Sequence, residues 1–405
     1  MNVLMISPGF PLEQAYFTRA LAATGVRVIG VGDQPVGALP REAHDSLAHY
    51  IQAPLANTEE VLRRLDELAQ FASFDRVECL WEPYVELAAQ IREHYDLPGL
   101  TVDQAVLFRD KEKMKKVLDE AGIRTPRHAA ADSVAEVWDA ADWIGFPLIV
   151  KPIAGAGSAD TYRVDSPEQL SEVQQMIRHV RRVSVEEFID GEEFTHDTIC
   201  ARGEVLFENM SWYLPRPLEG RSHEWISPMT IALRDIEDPK LAQGRQLGLD
   251  VLRALGFDEG FTHLEWYRKS DGEVVFGEIG ARPPGARSVD VMNYALDDDL
   301  FRFWADAIVH GPAGVRPVQR RYNAVSIFKR AQGRGRITRV EGLEELVEKH
   351  RQQICVVDLL PVGARRRDWR ATLLSDGVII VRHPELDGML EVADDFVQDL
   401  RLYAE

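Results

Sequence analysis

Residues Thr262 to Arg287 read THLEWYRKSDGEVVFGEIGARPPGAR, and the rest of the chain is organised around them. Thr262–Lys269 and Glu273–Ile279 have the composition and alternation of two strands, and Asp271-Gly272 between them is a strong two-residue hairpin turn. With Ser270 opposite Glu273, each step outward pairs residues whose numbers keep the same sum, and Glu265 falls directly across from Glu278. Opposed side chains on one face of an antiparallel pair have Cβ atoms roughly 4.5–5.5 Å apart, and like charges there are destabilising. The other face, Leu264 and Trp266 against Val275 and Ile279, is apolar enough to be buried. Three arrangements answer the repulsion. A hard divalent cation such as Mg²⁺, which favours carboxylate and phosphate oxygens, relieves it. A solvated pair at a sheet edge tolerates it. A retaining glycosidase uses it, holding two carboxyls roughly 5 Å apart. The hairpin alone leaves the first two evenly matched.

The chain has 405 residues, 45% of them hydrophobic, enough for two or three domains with cores of their own. Its net charge of −19 argues against a nucleic-acid partner, because affinity for a phosphate backbone rests on clustered Lys and Arg. Any bound phosphate must therefore be held by local positive charge. Cys79, Cys200 and Cys355 lie far apart, have no metal-type spacing and suggest a reducing compartment. The start runs straight into the apolar Val3-Leu4-Met5-Ile6 without a basic leader, and no apolar run is long enough to span a membrane. A cytoplasmic location without a membrane partner is expected.

Val3–Ser7, Gln14–Thr24 and Val26–Val31 form a β-α-β opening, and the alternation of strands and helices persists to about residue 105, which predicts a parallel sheet with covering helices. No G-x-G-x-x-G occurs, so no dinucleotide site is assigned. A charged helix then runs from Asp110 to Ala121. Lys113, Lys115 and Lys116 read as its solvated face, with Lys111 set apart at its start. The apolar strand Leu148-Ile149-Val150 ends in Lys151-Pro152 and the small-residue run Gly155-Ala156-Gly157-Ser158. Such a run can be a plain hairpin, but glycines also leave backbone N–H groups free to close over phosphate oxygens beside a lysine. A helix from Pro167 to Val180 follows, then the strand VSVEEFI from Val183, the Asp190-Gly191 turn and a strand from Glu193 to Ile199. Beyond the linker-like Gly311–Pro317, the tail reads as α+β, with a strand over Thr372–Val381 and a last helix from Met389 to Tyr403. The basic run Arg365-Arg366-Arg367 reads as a surface turn.

Taken in order, these motifs resemble the ATP-grasp superfamily of ATP-dependent carboxylate-amine ligases, and the resemblance covers nearly the whole chain. It implies an α/β and α+β multidomain fold: a Rossmann-like preATP-grasp domain over 1–108, the ATP-grasp domain over 109–315 with a lid at about 125–190, and a small α+β domain over 316–405. It implies ATP and Mg²⁺, or Mn²⁺ in its place. Lys111 and Lys151 resemble the two nucleotide lysines, and Gly155, Gly157 and Ser158 the loop over the triphosphate. Glu186 resembles the residue at the adenine amino group, Glu187, Phe188 and Ile189 the hinge along the base, and Glu193 the ribose acid. Glu265 and Glu278 match the metal carboxylates, and Arg282 the arginine near the transferred phosphate. One departure is Gly280, where many members carry Asn, so one metal ligand is absent or replaced by water.

The implied reaction is attack of a carboxylate, perhaps of an amino acid, on the γ-phosphate of ATP, giving an acyl phosphate that an amine displaces. Substrate choice is expected in Trp212–Met229 and the turn ending at Arg287. Arg287 or Arg282 is the expected clamp for the substrate carboxylate, with His223 or Glu224 closing over the acceptor. A bicarbonate-using carboxylase or carbamoyl-phosphate-like enzyme is a second reading, and a nucleotide-binding subunit or sensor with weak turnover, supported by Gly280, is a third. Small-molecule carboxylate and amine are the expected partners, and a homodimer is compatible with the sequence.

Overall fold

Val3, Leu4, Met5 and Ile6 expose no surface, the burial on both faces that a central parallel strand requires. Strand Asn2–Ile6 pairs in parallel with Arg27–Gly32 on one side and Arg76–Cys79 on the other, and His49–Gln52 completes the four-stranded sheet beyond Arg27–Gly32. The expected opening layer is present in this computed structural model, which describes residues 1–153, 160–369, 372 and 375–405. Helix Gln14–Ala23 anchors the layer to the rest of the molecule, since Phe17 packs edge-on against Phe301 at 4.8 Å and Trp304 at 5.2 Å. Aromatic pairs at such separations add about 0.5–1.5 kcal/mol beyond burial.

The largest sheet has eight strands in the order Val274–Gly280, Gly260–Arg268, Glu192–Ala201, Glu204–Leu214, Met229–Ala232, Asn323–Lys329, Gly377–His383 and Ile354–Leu359. It runs without a break across the expected boundary at 315/316, because Met229–Ala232 pairs with Asn323–Lys329. Strands from the centre and the tail of the sequence thus share one hydrogen-bonded sheet and one core, in which Trp266 and Phe276 meet Ile379 and Phe396.

The hairpin holds Glu265 opposite Glu278 as the sequence predicts, but by a different route. Lys269 pairs with Glu273 through the Glu273 carbonyl at 2.9 Å, and Gly272 (φ +90°) donates back to the Lys269 carbonyl at 3.0 Å, so the loop has three residues, Ser270 to Gly272. That slips the register by one, to Trp266 opposite Phe276. A bulge at Gly277 restores it. A Cβ there would stand 2.8 Å from the Glu265 carbonyl oxygen, so only glycine fits the close approach. The extra residue also breaks alternation, letting Phe276 enter the core while Glu278 faces the cleft.

A smaller antiparallel sheet, in the order His128–Ala131, Val183–Glu187, Leu148–Pro152 and Tyr162–Val164, lies over the eight-stranded one. Three expectations in the helices and tail change. The helix after Ser166 stops at Met176, and the strand expected over Thr372–Val381 spans Gly377–His383. The last helix covers Leu386–Asp399, after which Arg401–Ala404 turns back as a strand against Ile337–Glu341. In that strand Leu402 and Ala404 are buried on alternate positions, a period of two that ends the helix.

Candidate active site

Between the two antiparallel sheets lies a cleft with about 1090 Å³ of empty space, open to solvent. It gathers Lys111, Lys151, Glu186, Glu187, Phe188, Ile189, Glu193, Glu265, Glu278 and Arg282 on its walls, from six separate stretches of chain. Gly155, Gly157 and Ser158 lie outside the described residues.

Lys111 begins the helix Lys111–Glu120, which Asp110 caps by accepting from the Glu112 and Lys113 amides. The Lys111 ammonium stands 2.7 Å from Glu278. Lys115, one turn on, is buried, contrary to its expected place on a solvated face, and the physical reason is its partner. Its ammonium hydrogen-bonds Glu186, which also takes the Lys151 ammonium at 2.8 Å and the Ser184 hydroxyl at 2.9 Å. Burial alone would raise the Glu186 pKa, but the two ammoniums outweigh it and hold the carboxyl well below the usual carboxylate range. Lys115, buried, and Lys151, half-buried, thus share Glu186, and Glu112 stands 4.0 Å from Lys115, so positive charge is concentrated here on a strongly acidic protein but is already paired.

Further along the cleft stand Glu265 and His263, on the same face of their strand because they are two residues apart. His263 Nδ1 meets Asp197 at 2.6 Å and its Nε2 meets Glu265 at 3.4 Å. Burial lowers the His263 pKa, yet Asp197 and Glu265 overcome it and carry the imidazole to about 9, so it is positively charged at neutral pH. His263 pairs across the hairpin with Gly280, so an imidazole occupies the side of the site where Gly280 offers no side chain. Glu193 is buried, with Arg216 at 3.4 Å. Its burial, and then the charge of Glu265, push its carboxyl pKa upward. Arg216 spans this region, 5.0 Å from the Phe188 ring and 5.1 Å from the Tyr267 ring, and donates to the Ile189 carbonyl at 2.8 Å.

Arg282 lines the cleft with its Nε on Glu82 at 2.7 Å, and Glu82 also takes Arg109. Arg287 is different: it is absent from the cleft wall. Its guanidinium is held by Asp290 at 2.9 Å and Asp358 at 3.0 Å, so two carboxylates already occupy the donors a substrate clamp would need. The expected closing pair is also elsewhere. The His223 carbonyl accepts from Arg330 at 2.8 Å and Glu224 pairs with Arg366 at 2.7 Å. That pairing, with Asp376 at 3.4 Å, draws Arg366 inward, whereas the sequence places it on a surface turn. Of the expected substrate segment, Arg216, Pro217 and Leu218 reach the cleft.

Sequence reasoning missed Lys115, Asp197, His263, Arg216 and Glu82. Lys115 carries a usable signal, the i, i+4 spacing from Lys111 that puts both on one helix face. His263 carries the period-two spacing from Glu265. Glu82 has no local signal, since it arrives from the parallel layer.

A metal fits the cleft only in one way. Among the described residues no three His, Cys, Asp or Glu side chains converge as a metal cage. Glu265 and Glu278 alone supply two carboxylates, which suits Mg²⁺, an ion that keeps several waters and is commonly bound through one or two carboxylates plus substrate phosphates.

Comparison with known proteins places this geometry. Residues 116–287 match the family model described as ATP-grasp domain. The chain is 27% identical over 226 residues to an L-arginine-specific L-amino acid ligase of Bacillus subtilis, an alignment covering 54% of this chain and 54% of the relative. The chain thus spans about half the length of the curated relatives it first matches. Among solved structures it superimposes on an L-amino acid ligase from Bacillus licheniformis with a TM-score of 0.79 at 22% identity, over 100% of this chain and 98% of that one. It superimposes on N5-carboxyaminoimidazole synthetase from Staphylococcus aureus complexed with ADP with a TM-score of 0.73 at 16% identity, over 98% of this chain and 97% of that one.

Proposed function

We propose, from the premise that residues 116–287 carry an ATP-grasp domain, that this chain is an ADP-forming ligase that activates a carboxylate with ATP and joins it to an amine. The observation that carries the reading is the convergence of Lys111, Lys151, Glu265, Glu278 and Arg282 on one cleft beneath the smaller sheet. Bound Mg²⁺ supplies charge neutralisation at the transferring phosphoryl oxygens. The protein's part is placement: Lys111 and Lys151 carry positive charge to the phosphates, and the Arg282 guanidinium, fixed by Glu82, suits an oxygen that gains charge as the acyl phosphate forms. Glu193 and the backbone of Glu187 to Ile189 line the part of the cleft that suits the nucleoside. Transfer to the amine needs no covalent group on the protein. We assign 1–108 and 109–315 as preATP-grasp and ATP-grasp domains and 316–405 as a C-terminal α+β part that completes the eight-stranded sheet, and propose a cytoplasmic, magnesium-dependent enzyme. No helix among the described residues is long and apolar enough to cross a membrane.

The test is ADP release from ATP and Mg²⁺ across a matrix of amino acids, other carboxylic acids and amines. Release that needs one acid and one amine together is expected, and Glu278→Gln should lower it by roughly 100-fold or more. Release with bicarbonate alone would favour a carboxylase and contradict the amine step.

A further inference from the structure

A second cavity, with about 540 Å³ of empty space open to solvent, lies at the carboxyl ends of strands Asn2–Ile6 and Arg27–Gly32. The parallel sheet winds outward from Asn2–Ile6 to Arg27–Gly32 and His49–Gln52, then returns to place Arg76–Cys79 on the other side. Crevices outside the carboxyl ends of strands at such a reversal are where open α/β sheets bind ligands. Phe10, Tyr50 and Trp81 give this one aromatic walls, and Asp33 is the only charged side chain among its lining residues. Phe10 is 46% exposed while its ring meets Trp81 edge-on at 4.8 Å. The loop that carries Phe10 is held by Ser7, in the left-handed region at φ +53°, whose hydroxyl donates to the Phe10 carbonyl at 2.6 Å. Asp33 accepts from the Leu55 amide at 2.6 Å and from the Tyr84 hydroxyl. A carboxylate has about four acceptor positions, so capacity remains for a ligand.

Aromatic faces around one carboxylate, with no competing cation, form a site for an organic cation. Trp81 is followed directly by Glu82, which holds Arg282 in the nucleotide cleft, so one short loop touches both cavities. We propose that this cavity binds an alkylammonium or guanidinium group and is the subsite for the far end of the amine substrate. A protonated nitrogen cannot attack an acyl phosphate. The group held here therefore keeps its charge, and a second nitrogen of the same molecule is the nucleophile, which makes the substrate class a diamine or a basic amino acid. The assignment to the amine rests on the ligase reading; the binding of a cation does not.

The test is calorimetry on the full chain with n-butylammonium, n-butanol and butyrate. The cation should bind at least tenfold more tightly than either analogue. Asp33→Asn keeps an oxygen for the Leu55 amide but removes the charge, and should weaken the cation about tenfold, close to 1.4 kcal/mol, with ATP affinity unchanged. In the ADP-release assay with 1,4-diaminobutane as the amine, the same variant should raise KM and leave kcat alone. Equal cation affinity in both proteins overturns the proposal. Should Asp33→Asn fail to fold, the wild-type series decides, and butylammonium binding no better than butyrate overturns it equally. Cation binding without amine-dependent ADP release would sink the ligase reading and keep the cavity. Amine-dependent release with an unchanged KM in Asp33→Asn would do the reverse.

Discussion

Glu186 is the residue on which the lysine side of the cleft depends. It answers two ammoniums at once, the buried Lys115 and the half-buried Lys151, and removing one member of a buried ionic group leaves the others uncompensated, at a cost of up to about 3 kcal/mol. Glu186→Gln should lower the urea midpoint accordingly; a midpoint unchanged within error would show that solvent or phosphate already serves those lysines. The sign with pH follows from the depressed pKa. The contribution of Glu186 is fully present above the ordinary carboxylate range and is lost as pH falls through its lowered folded value, so acid should narrow the gap between the two proteins. Much of this site was readable from single residues: Lys111, Lys151, Glu186, Glu193, Glu265, Glu278 and Arg282 all reach one cleft. Arg287 is held by Asp290 and Asp358 outside the cleft wall, an arrangement that a guanidinium beside a Pro-Pro-Gly turn does not announce. Lys115 was misread because four lysines within six residues look like solvent until the strand bearing Glu186 is laid over them.

At the scale of elements, the hairpin shows how a right pairing can rest on a wrong turn. Counting from a two-residue Asp271-Gly272 turn gives Glu265 opposite Glu278, and the structure reaches the same pair from a three-residue loop followed by a bulge at Gly277. The two one-residue shifts cancel beyond the bulge, which sequence periodicity could not foresee because a bulge breaks the period. The tail supplies a second element-level case. Lys329 ends the strand Asn323–Lys329 and donates at 3.0 Å to the carbonyls of Phe396 and Val397, in the last turn of helix Leu386–Asp399, where a cation suits the helix dipole. Burial, and next the charge of Arg401, still lower its pKa to about 8. An unfolded lysine titrates near 10.4. Between those values the unfolded chain binds more protons, so stability should rise with pH by up to about 3 kcal/mol over that window. Lys329→Met should lack this rise, so the stability difference between wild type and variant should grow with pH across the window. A constant difference from pH 7.5 to 10.5 would mean that the ammonium stays charged where it sits.

For the whole molecule, the order of elements was legible because helical and strand periods alternate cleanly through the first hundred residues, and because Lys151 and the hairpin carboxylates stand at recognisable strand ends. The sharing of one sheet by residues 192–383 was not legible, since Met229–Ala232 and Asn323–Lys329 are joined by hydrogen bonds that no local pattern announces. That continuity ties the wall bearing Glu265 and Glu278 rigidly to the tail, whereas the smaller sheet carrying Lys151 and Glu186 has a hydrophobic core of its own. A net charge of −19 surrounds a cleft whose walls carry Lys111, Lys151, Arg216 and Arg282 among their glutamates, with Lys115 buried behind Glu186. On the proposed function, local charge would admit nucleotide here and Glu265 and Glu278 would hold the Mg²⁺ that accompanies its phosphates. The direct measurement is ADP affinity by calorimetry with and without Mg²⁺, in the wild type and in a Glu265→Gln/Glu278→Gln double variant. Mg²⁺ should tighten ADP at least tenfold, about 1.4 kcal/mol, in the wild type and less than twofold in the variant, and an equal Mg²⁺ effect in both proteins would contradict the account.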